Sequence, residues 1–137
     1  MPDDLTSIGS APLVDQFGRR VTYLRLSVTD RCDLRCTYCM AEKMQFLPKR
    51  DLLTIEELDT VARAFIERGV EKIRITGGEP LVRKGMPELF ERLGSYLGRG
   101  LSELTLTTNA TLLEQNAEML ARNGVKLIAV NQLSINE

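Results

Sequence analysis

Residues 72–81 read KIRITGGEPL, and this stretch decides the fold. Ile73 and Ile75 alternate with Arg74 and Thr76, which predicts a strand with one aliphatic face and one polar face. Two glycines and a proline follow, and these residues are typical of a turn. The stretch therefore predicts a strand with a specialised loop at its carboxyl end.

Helices and strands alternate on both sides of this segment. Thr54 and Glu57 have the spacing of a capping box and predict a helix that ends before Gly69. Helical connections of this length imply parallel strands. The predicted order is β-α-β-α-β-α-β. The other elements are strands at 21–28, 103–107 and 125–130, a helix beginning near Pro87, and a helix over 113–122.

The strands share a one-sided pattern. Leu24 and Leu26 oppose Arg25, and Leu104 and Leu106 are likewise separated by a polar residue. A doubly wound sheet, the first alternative, needs strands that are apolar on both faces. Strands with a single aliphatic face instead indicate that all helices pack on one side of the sheet. This arrangement predicts a β/α barrel in which the polar strand faces line the lumen. A second alternative is a polar face that is merely exposed to solvent.

The fold class is therefore predicted as α/β, a partial TIM-type barrel. We expect an extended N-terminal arm over residues 1–20 and the N-terminal portion of the barrel over residues 21–137. Because a full eight-unit barrel needs about 250 residues, we expect the barrel to be truncated after about four strands.

The composition excludes several classes of protein. The chain has 137 residues, 18 Lys and Arg, 19 Asp and Glu, and no His. Lack of His excludes imidazole catalysis and His-ligated metals. The balanced charge argues against a nucleic-acid-binding surface. We find neither a run of about 18 apolar residues nor a signal peptide, so we expect no membrane span and a cytoplasmic location.

All three cysteines, Cys32, Cys36 and Cys39, lie within one short segment. Their odd number and close spacing are not typical of a secreted disulfide framework. Three thiolates can hold three irons of a [4Fe–4S] cluster and leave the fourth iron open. A zinc site completed by Asp30 or Asp33 is one alternative, and a chance cluster of thiols is another.

Three features follow predicted strand ends, where β/α barrels place their active sites. They are the cysteine segment, the GGEP turn and residues 107–109. Arg25 and Arg74 lie on polar strand faces, and two such guanidinium groups require an anionic partner. The alternative is an ion pair with Glu79 or Glu103.

The Cys32-x-x-x-Cys36-x-Tyr38-Cys39 motif and the GGEP turn resemble those of the radical S-adenosylmethionine (SAM) enzymes. Within that superfamily, several runs look like those of the GTP 3′,8-cyclases of molybdenum cofactor biosynthesis. The likeness extends from about Phe17 to about Ile128. The runs that carry it are 24–32, 46–48, 72–81 and 106–109.

The resemblance implies a barrel of the radical SAM type and a set of site residues. Cys32, Cys36 and Cys39 would hold a [4Fe–4S] cluster, and the backbone of Tyr38 and Gly78 would contact SAM. Reductive cleavage of SAM would yield a 5′-deoxyadenosyl radical that starts the cyclisation of GTP. An electron donor is implied, and a homodimer is compatible with the family. The residues expected to contact GTP are Arg25, Arg74 and Thr107.

The chain also departs from the family pattern. A second three-cysteine set and a terminal Gly-Gly are absent, and Asn131 stands where family members have a serine that contacts SAM. We therefore expect the isolated chain not to cyclise GTP at a normal rate. Alternatives are another radical SAM enzyme, such as a peptide-modifying maturase, or a non-catalytic metal-binding fragment. The contexts of residues 46–48 and 107–109 argue against a maturase.

Overall fold

A computed structural model describes residues 11–29 and 52–130, and in these ranges the predicted alternation of strands and helices is confirmed. The four strands form one sheet in the order β1-β2-β3-β4, and every neighbouring pair is parallel. The elements are β1 (Tyr23–Ser27), α1 (Ile55–Glu67), β2 (Lys72–Thr76), a 3₁₀ helix (Pro80–Val82), α2 (Met86–Gly94), β3 (Glu103–Thr108), α3 (Leu113–Arg122) and β4 (Leu127–Val130).

The hydrophobic core lies on one face of the sheet, between the strands and the three helices. Each of β1, β2 and β3 contributes aliphatic side chains to it, in the alternation that the sequence predicts. α1 adds Leu58 and Ala62, and α3 adds Leu120. α2 contributes its Met86, Leu89, Phe90 and Leu93 side chains, all of which are buried. In the described ranges the helices thus share one side, as a β/α barrel requires.

The register of the strands sets the layout of the opposite, polar face. Arg25 on β1 lies beside Arg74 on β2, and Arg74 lies beside Thr105 on β3. Thr105 is fully buried, and its hydroxyl donates to the carbonyl oxygen of Ile73 over 3.4 Å. This row of side chains crosses three strands at one level.

The first helix begins as the sequence predicts. The backbone N–H of Glu57 donates to Thr54 Oγ1 over 3.0 Å, and the N–H of Thr54 donates to Glu57 Oε1 over 2.8 Å. These two bonds form the capping box and satisfy two of the amide groups that a helix start leaves unpaired.

A polar network joins α1 to α2, and the sequence pattern did not predict it. Asp59 is only 5% exposed, and its carboxylate accepts from Tyr96 Oη over 2.6 Å and from Arg92 Nη1 over 3.3 Å. Arg92 also pairs with Glu88 over 2.8 Å. Burial, followed by the hydrogen bond to Asp59, raises the pKa of the Tyr96 hydroxyl above its ordinary value.

The structure corrects the predicted extended arm. Within residues 11–20, Val14 and Arg20 form an antiparallel bridge, and the carboxylate of Asp15 accepts from the backbone amides of Phe17 and Arg19. This segment is therefore a tight hairpin, because a short acidic side chain can satisfy the amides of a turn. Residues 1–10 lie outside the described part of the chain.

Smaller differences concern the ends of elements. Strand β1 is shorter than predicted, β3 extends to Thr108, and β4 begins at Leu127 rather than at residue 125. The predicted turn at residues 77–80 leads into a 3₁₀ helix, Pro80–Val82, with Glu79 as its N-cap. Across the described ranges, every helix is too short or too polar to cross a membrane.

Candidate functional site at the carboxyl ends of the strands

The turn that follows β2 is packed tightly against the end of β1. Gly77 has φ +136°, and a Cβ atom at this position would lie 2.5 Å from the carbonyl oxygen of Thr29. The N–H of Gly78 donates to the same oxygen over 2.9 Å. Gly77 is therefore needed for the close approach of the segment that follows β1.

Glu79 connects the same turn to the end of β3. Its side chain is fully buried, and Oε2 accepts from Thr108 Oγ1 over 2.7 Å and from Leu81 N–H over 3.1 Å. Oε1 accepts from the N–H of Asn109 over 2.6 Å. A buried carboxylate requires such donors, because its desolvation is otherwise costly. Glu79 therefore links two of the three features that were predicted at the strand ends, the GGEP turn and residues 107–109.

The loop after β3 is shaped by side chains close in sequence. Thr108 Oγ1 accepts from the N–H of Ala110 over 3.1 Å, and Asn109 Oδ1 accepts from the N–H of Thr111 over 3.0 Å. Ala110 has φ +75°, and it is the one non-glycine residue with positive φ in the described ranges. A left-handed conformation at Ala is unfavourable, so surrounding contacts must hold this loop in place.

Arg83 was not singled out from the sequence. It follows the 3₁₀ helix, and its Nη1 donates to the carbonyl oxygen of Val28 over 2.6 Å. Its Nη2 donates to the carbonyl oxygen of Leu53. The sequence carries one signal for its role, a positively charged residue shortly after the GGEP turn.

On the polar face of the sheet, the structure brings together two predicted GTP contacts. Arg74 Nη1 donates to Thr107 Oγ1 over 3.1 Å, and Arg74 Nε donates to Tyr23 Oη over 2.7 Å. Arg25 lies beside Arg74 in the register and is exposed. The contribution of Tyr23 was missed, although its position two residues before Arg25 places it on the same face of β1.

Neither Arg25 nor Arg74 forms an ion pair with Glu79 or Glu103, the alternative that the sequence left open. Glu103 lies 3.8 Å from Lys72 Nζ, and Glu79 is bonded to the loop after β3. Across residues 11–29 and 52–130, no carboxylate forms an ion pair with Arg25 or Arg74. Guanidinium groups that lack a carboxylate partner can bind an anionic ligand in bidentate geometry.

The predicted metal ligands Cys32, Cys36 and Cys39, and the predicted SAM contact Tyr38, lie outside the described residues. The part of the chain that the structure does describe has no group of three Cys, Asp or Glu side chains able to hold a metal ion. The chemistry of the donor set fits an iron–sulfur cluster, because soft thiolates are its usual ligands.

The sequence model of the radical SAM superfamily matches residues 26–137, so this chain belongs to that superfamily. Membership implies SAM and an iron–sulfur cluster as cofactors. The crystal structure of BtrN in complex with AdoMet and 2-DOIA superposes with a TM-score of 0.60 at 18% identity, covering 85% of this chain and 48% of BtrN. This likeness confirms the fold, a partial TIM-type barrel.

The chain is also similar in sequence to proteins of one narrower group. This chain is 63% identical over 120 residues to the GTP 3′,8-cyclase of Rhizobium etli (strain CIAT 652), an alignment covering 88% of this chain and 34% of the relative. It is 59% identical over 127 residues to the GTP 3′,8-cyclase of Paracoccus denitrificans (strain Pd 1222), covering 93% and 37%. The chain thus spans about a third of the length of these relatives.

Proposed function

We propose that this chain carries the SAM-binding part, and one side of the GTP-binding part, of a GTP 3′,8-cyclase. The reaction converts GTP to (8S)-3′,8-cyclo-7,8-dihydroguanosine 5′-triphosphate for molybdenum cofactor synthesis. Residues 21–137 are the N-terminal portion of the barrel in this proposal. The observation that carries it is the arrangement of Arg74, Thr107 and Arg25 on the polar face, in a chain about 60% identical to cyclases.

In this proposal Cys32, Cys36 and Cys39 bind a [4Fe–4S] cluster. When bound, the cluster supplies the electron that cleaves SAM and so starts radical chemistry on the nucleotide. The backbone of Tyr38 and Gly78 contacts SAM. Because the N–H of Gly78 already donates to Thr29, its carbonyl oxygen is the group that remains for this contact.

The polar face of the sheet binds GTP through its cations. Arg25 and Arg74 contact the triphosphate, and Thr107 contacts GTP beside them. Tyr23 Oη holds Arg74 Nε in place, so the remaining guanidinium N–H groups are oriented before the nucleotide arrives. Prior orientation lowers the entropy that binding costs. The charge of Arg25 and Arg74, unpaired with any carboxylate in the described ranges, favours a polyanion.

The proposal is tested by anaerobic reconstitution of the chain with iron and sulfide. We expect about four irons and four sulfides per chain, and a visible absorption band that dithionite bleaches and SAM perturbs. GTP should then compete with a fluorescent GTP analogue for the protein, and guanosine should compete weakly, because it lacks the triphosphate that Arg25 and Arg74 contact. One zinc per chain without a visible band would contradict the cluster. Cluster formation without GTP binding would favour another radical SAM activity.

A further inference from the structure

Arg83 contacts two chain segments that lie far apart in sequence. Its Nη1 donates to the carbonyl oxygen of Val28, directly after β1, over 2.6 Å. Its Nη2 donates to the carbonyl oxygen of Leu53, directly before the Thr54 cap of α1. One guanidinium group therefore joins the end of β1 to the start of α1.

The backbone of Arg83 is itself held in place. Its N–H donates to the carbonyl oxygen of Pro80 over 3.1 Å, which closes the 3₁₀ helix. Two residues further on, a Cβ atom at Gly85 would lie 3.0 Å from Ile55 Cγ1, so this turn already packs against the start of α1. The guanidinium group thus extends from a fixed base rather than from a loose loop.

The chemistry of the contact favours arginine over other residues. A guanidinium group donates through several N–H groups in a rigid plane, so it can hold two carbonyl oxygens at a fixed separation. Such charge-assisted bonds are stronger than bonds between neutral groups. A lysine ammonium group is a compact point donor and cannot impose the same separation.

Val28 and Leu53 are the points between which residues 30–51, with all three cysteines, are connected. We propose that Arg83 is a positioning residue for the cluster. By fixing the separation of these two points, it lowers the entropy that is lost when the three thiolates gather around iron. This inference rests on the proposed function, in which Cys32, Cys36 and Cys39 are the cluster ligands.

The test compares Arg83→Gln and Arg83→Lys with Arg68→Gln. Arg68 is a matched control, because its Nε donates to the carbonyl oxygen of Ala11 over 3.0 Å, near the hairpin and away from the GGEP turn. Each protein is reconstituted with iron and sulfide, and iron loss to a chelator is followed by absorption. Circular dichroism with urea gives the stability of each metal-free protein.

We expect Arg83→Gln to lose iron about tenfold faster than the wild type, as is typical when a residue supporting metal ligands is removed. The rate of iron loss from Arg83→Lys should lie between the rates of Arg83→Gln and the wild type. Arg68→Gln should lose iron at the wild-type rate. Equal rates of iron loss in the wild type and both Arg83 variants would overturn the role of Arg83 alone. A wild-type chain that holds no iron would overturn the proposed cluster, and the role of Arg83 with it.

If Arg83→Gln fails to fold, Arg83→Lys decides the question. It must then lose iron faster than Arg68→Gln at matched stability of the metal-free proteins. Equal iron loss in these two variants would show that Arg83 serves only general stability.

Discussion

The fully buried carboxylate of Glu79 accepts a hydrogen bond of 2.7 Å from the hydroxyl of Thr108, and this bond joins the turn after β2 to the end of β3. Asn109 and Leu81 donate backbone N–H groups to the same carboxylate. The GGEP turn is therefore held on both sides, by Glu79 toward β3 and by Arg83 toward β1.

We predict that Glu79→Gln destabilises the protein by about 2 kcal/mol. The amide keeps the size of the side chain but places an N–H₂ group against one of three donors, so one buried hydrogen bond is lost. The measurement is urea unfolding followed by circular dichroism. Glu88→Gln is the matched control, because Glu88 is 49% exposed and its pair with Arg92 should contribute less than about 1 kcal/mol. Equal losses in the two variants would contradict the role assigned to Glu79.

Stability should fall at alkaline pH through Tyr96. Its pKa is raised in the folded state by burial and by the bond to Asp59, from an ordinary value of 10.0. The unfolded chain therefore releases this proton first. The stabilising contribution is complete below pH 10.0 and is lost as the pH rises through the folded-state pKa. Tyr96→Phe should reduce the alkaline loss of stability, measured as urea midpoints from pH 8 to about 11.5.

At neutral pH, Tyr96→Phe should itself cost about 1 kcal/mol, because the Asp59 carboxylate loses its closest donor. The two proteins differ at this residue alone, so the difference between their pH profiles isolates Tyr96. Parallel profiles would show that the hydroxyl of Tyr96 is not responsible.

Ala110→Gly should stabilise the chain by about 0.5–1 kcal/mol. Ala110 has φ +75°, a conformation in which glycine avoids the steric cost of a Cβ atom. This gain outweighs the larger backbone entropy that glycine loses on folding. Ala117→Gly in α3 is the control with the opposite sign, since glycine inside a helix costs about 1 kcal/mol relative to alanine. Urea midpoints that move in the same direction would contradict the assigned strain.

Tyr23→Phe should weaken GTP binding roughly threefold without loss of the fold. The phenolic oxygen accepts from Arg74 Nε over 2.7 Å, and without it the guanidinium group is less ordered, at a cost of about 0.5–1 kcal/mol. Arg74→Met should abolish most binding, because it removes the cation itself. Equilibrium competition with a fluorescent GTP analogue measures both effects.

Arg99→Met is the control for this series, because Arg99 lies in the loop between α2 and β3 and not on a strand of the polar face. Its affinity for GTP should match that of the wild type. If Arg99→Met weakens binding as much as Arg74→Met does, the anion is bound by overall charge and not at the polar face.

The parallel order, the one-sided aliphatic faces and the Thr54 cap could be predicted because each depends on residues close in sequence. Alternation along a strand follows from backbone geometry, and a capping box spans only four positions. The hairpin at residues 11–20 was missed because its compositional signal, Pro, Gly and Asp, is shared by extended arms and turns. The three cysteines lie outside the described residues, so their role as cluster ligands stays a prediction.

The sequence by itself thus determined the class of fold and the superfamily. Only the tertiary structure decided which groups form hydrogen bonds with each other. Glu79 and Thr108 are 29 positions apart, and Arg83 and Val28 are 55 apart. The reason is that the periodicity of a strand fixes the face on which a side chain lies, whereas its partner is fixed by strand register and by the path of each connecting loop.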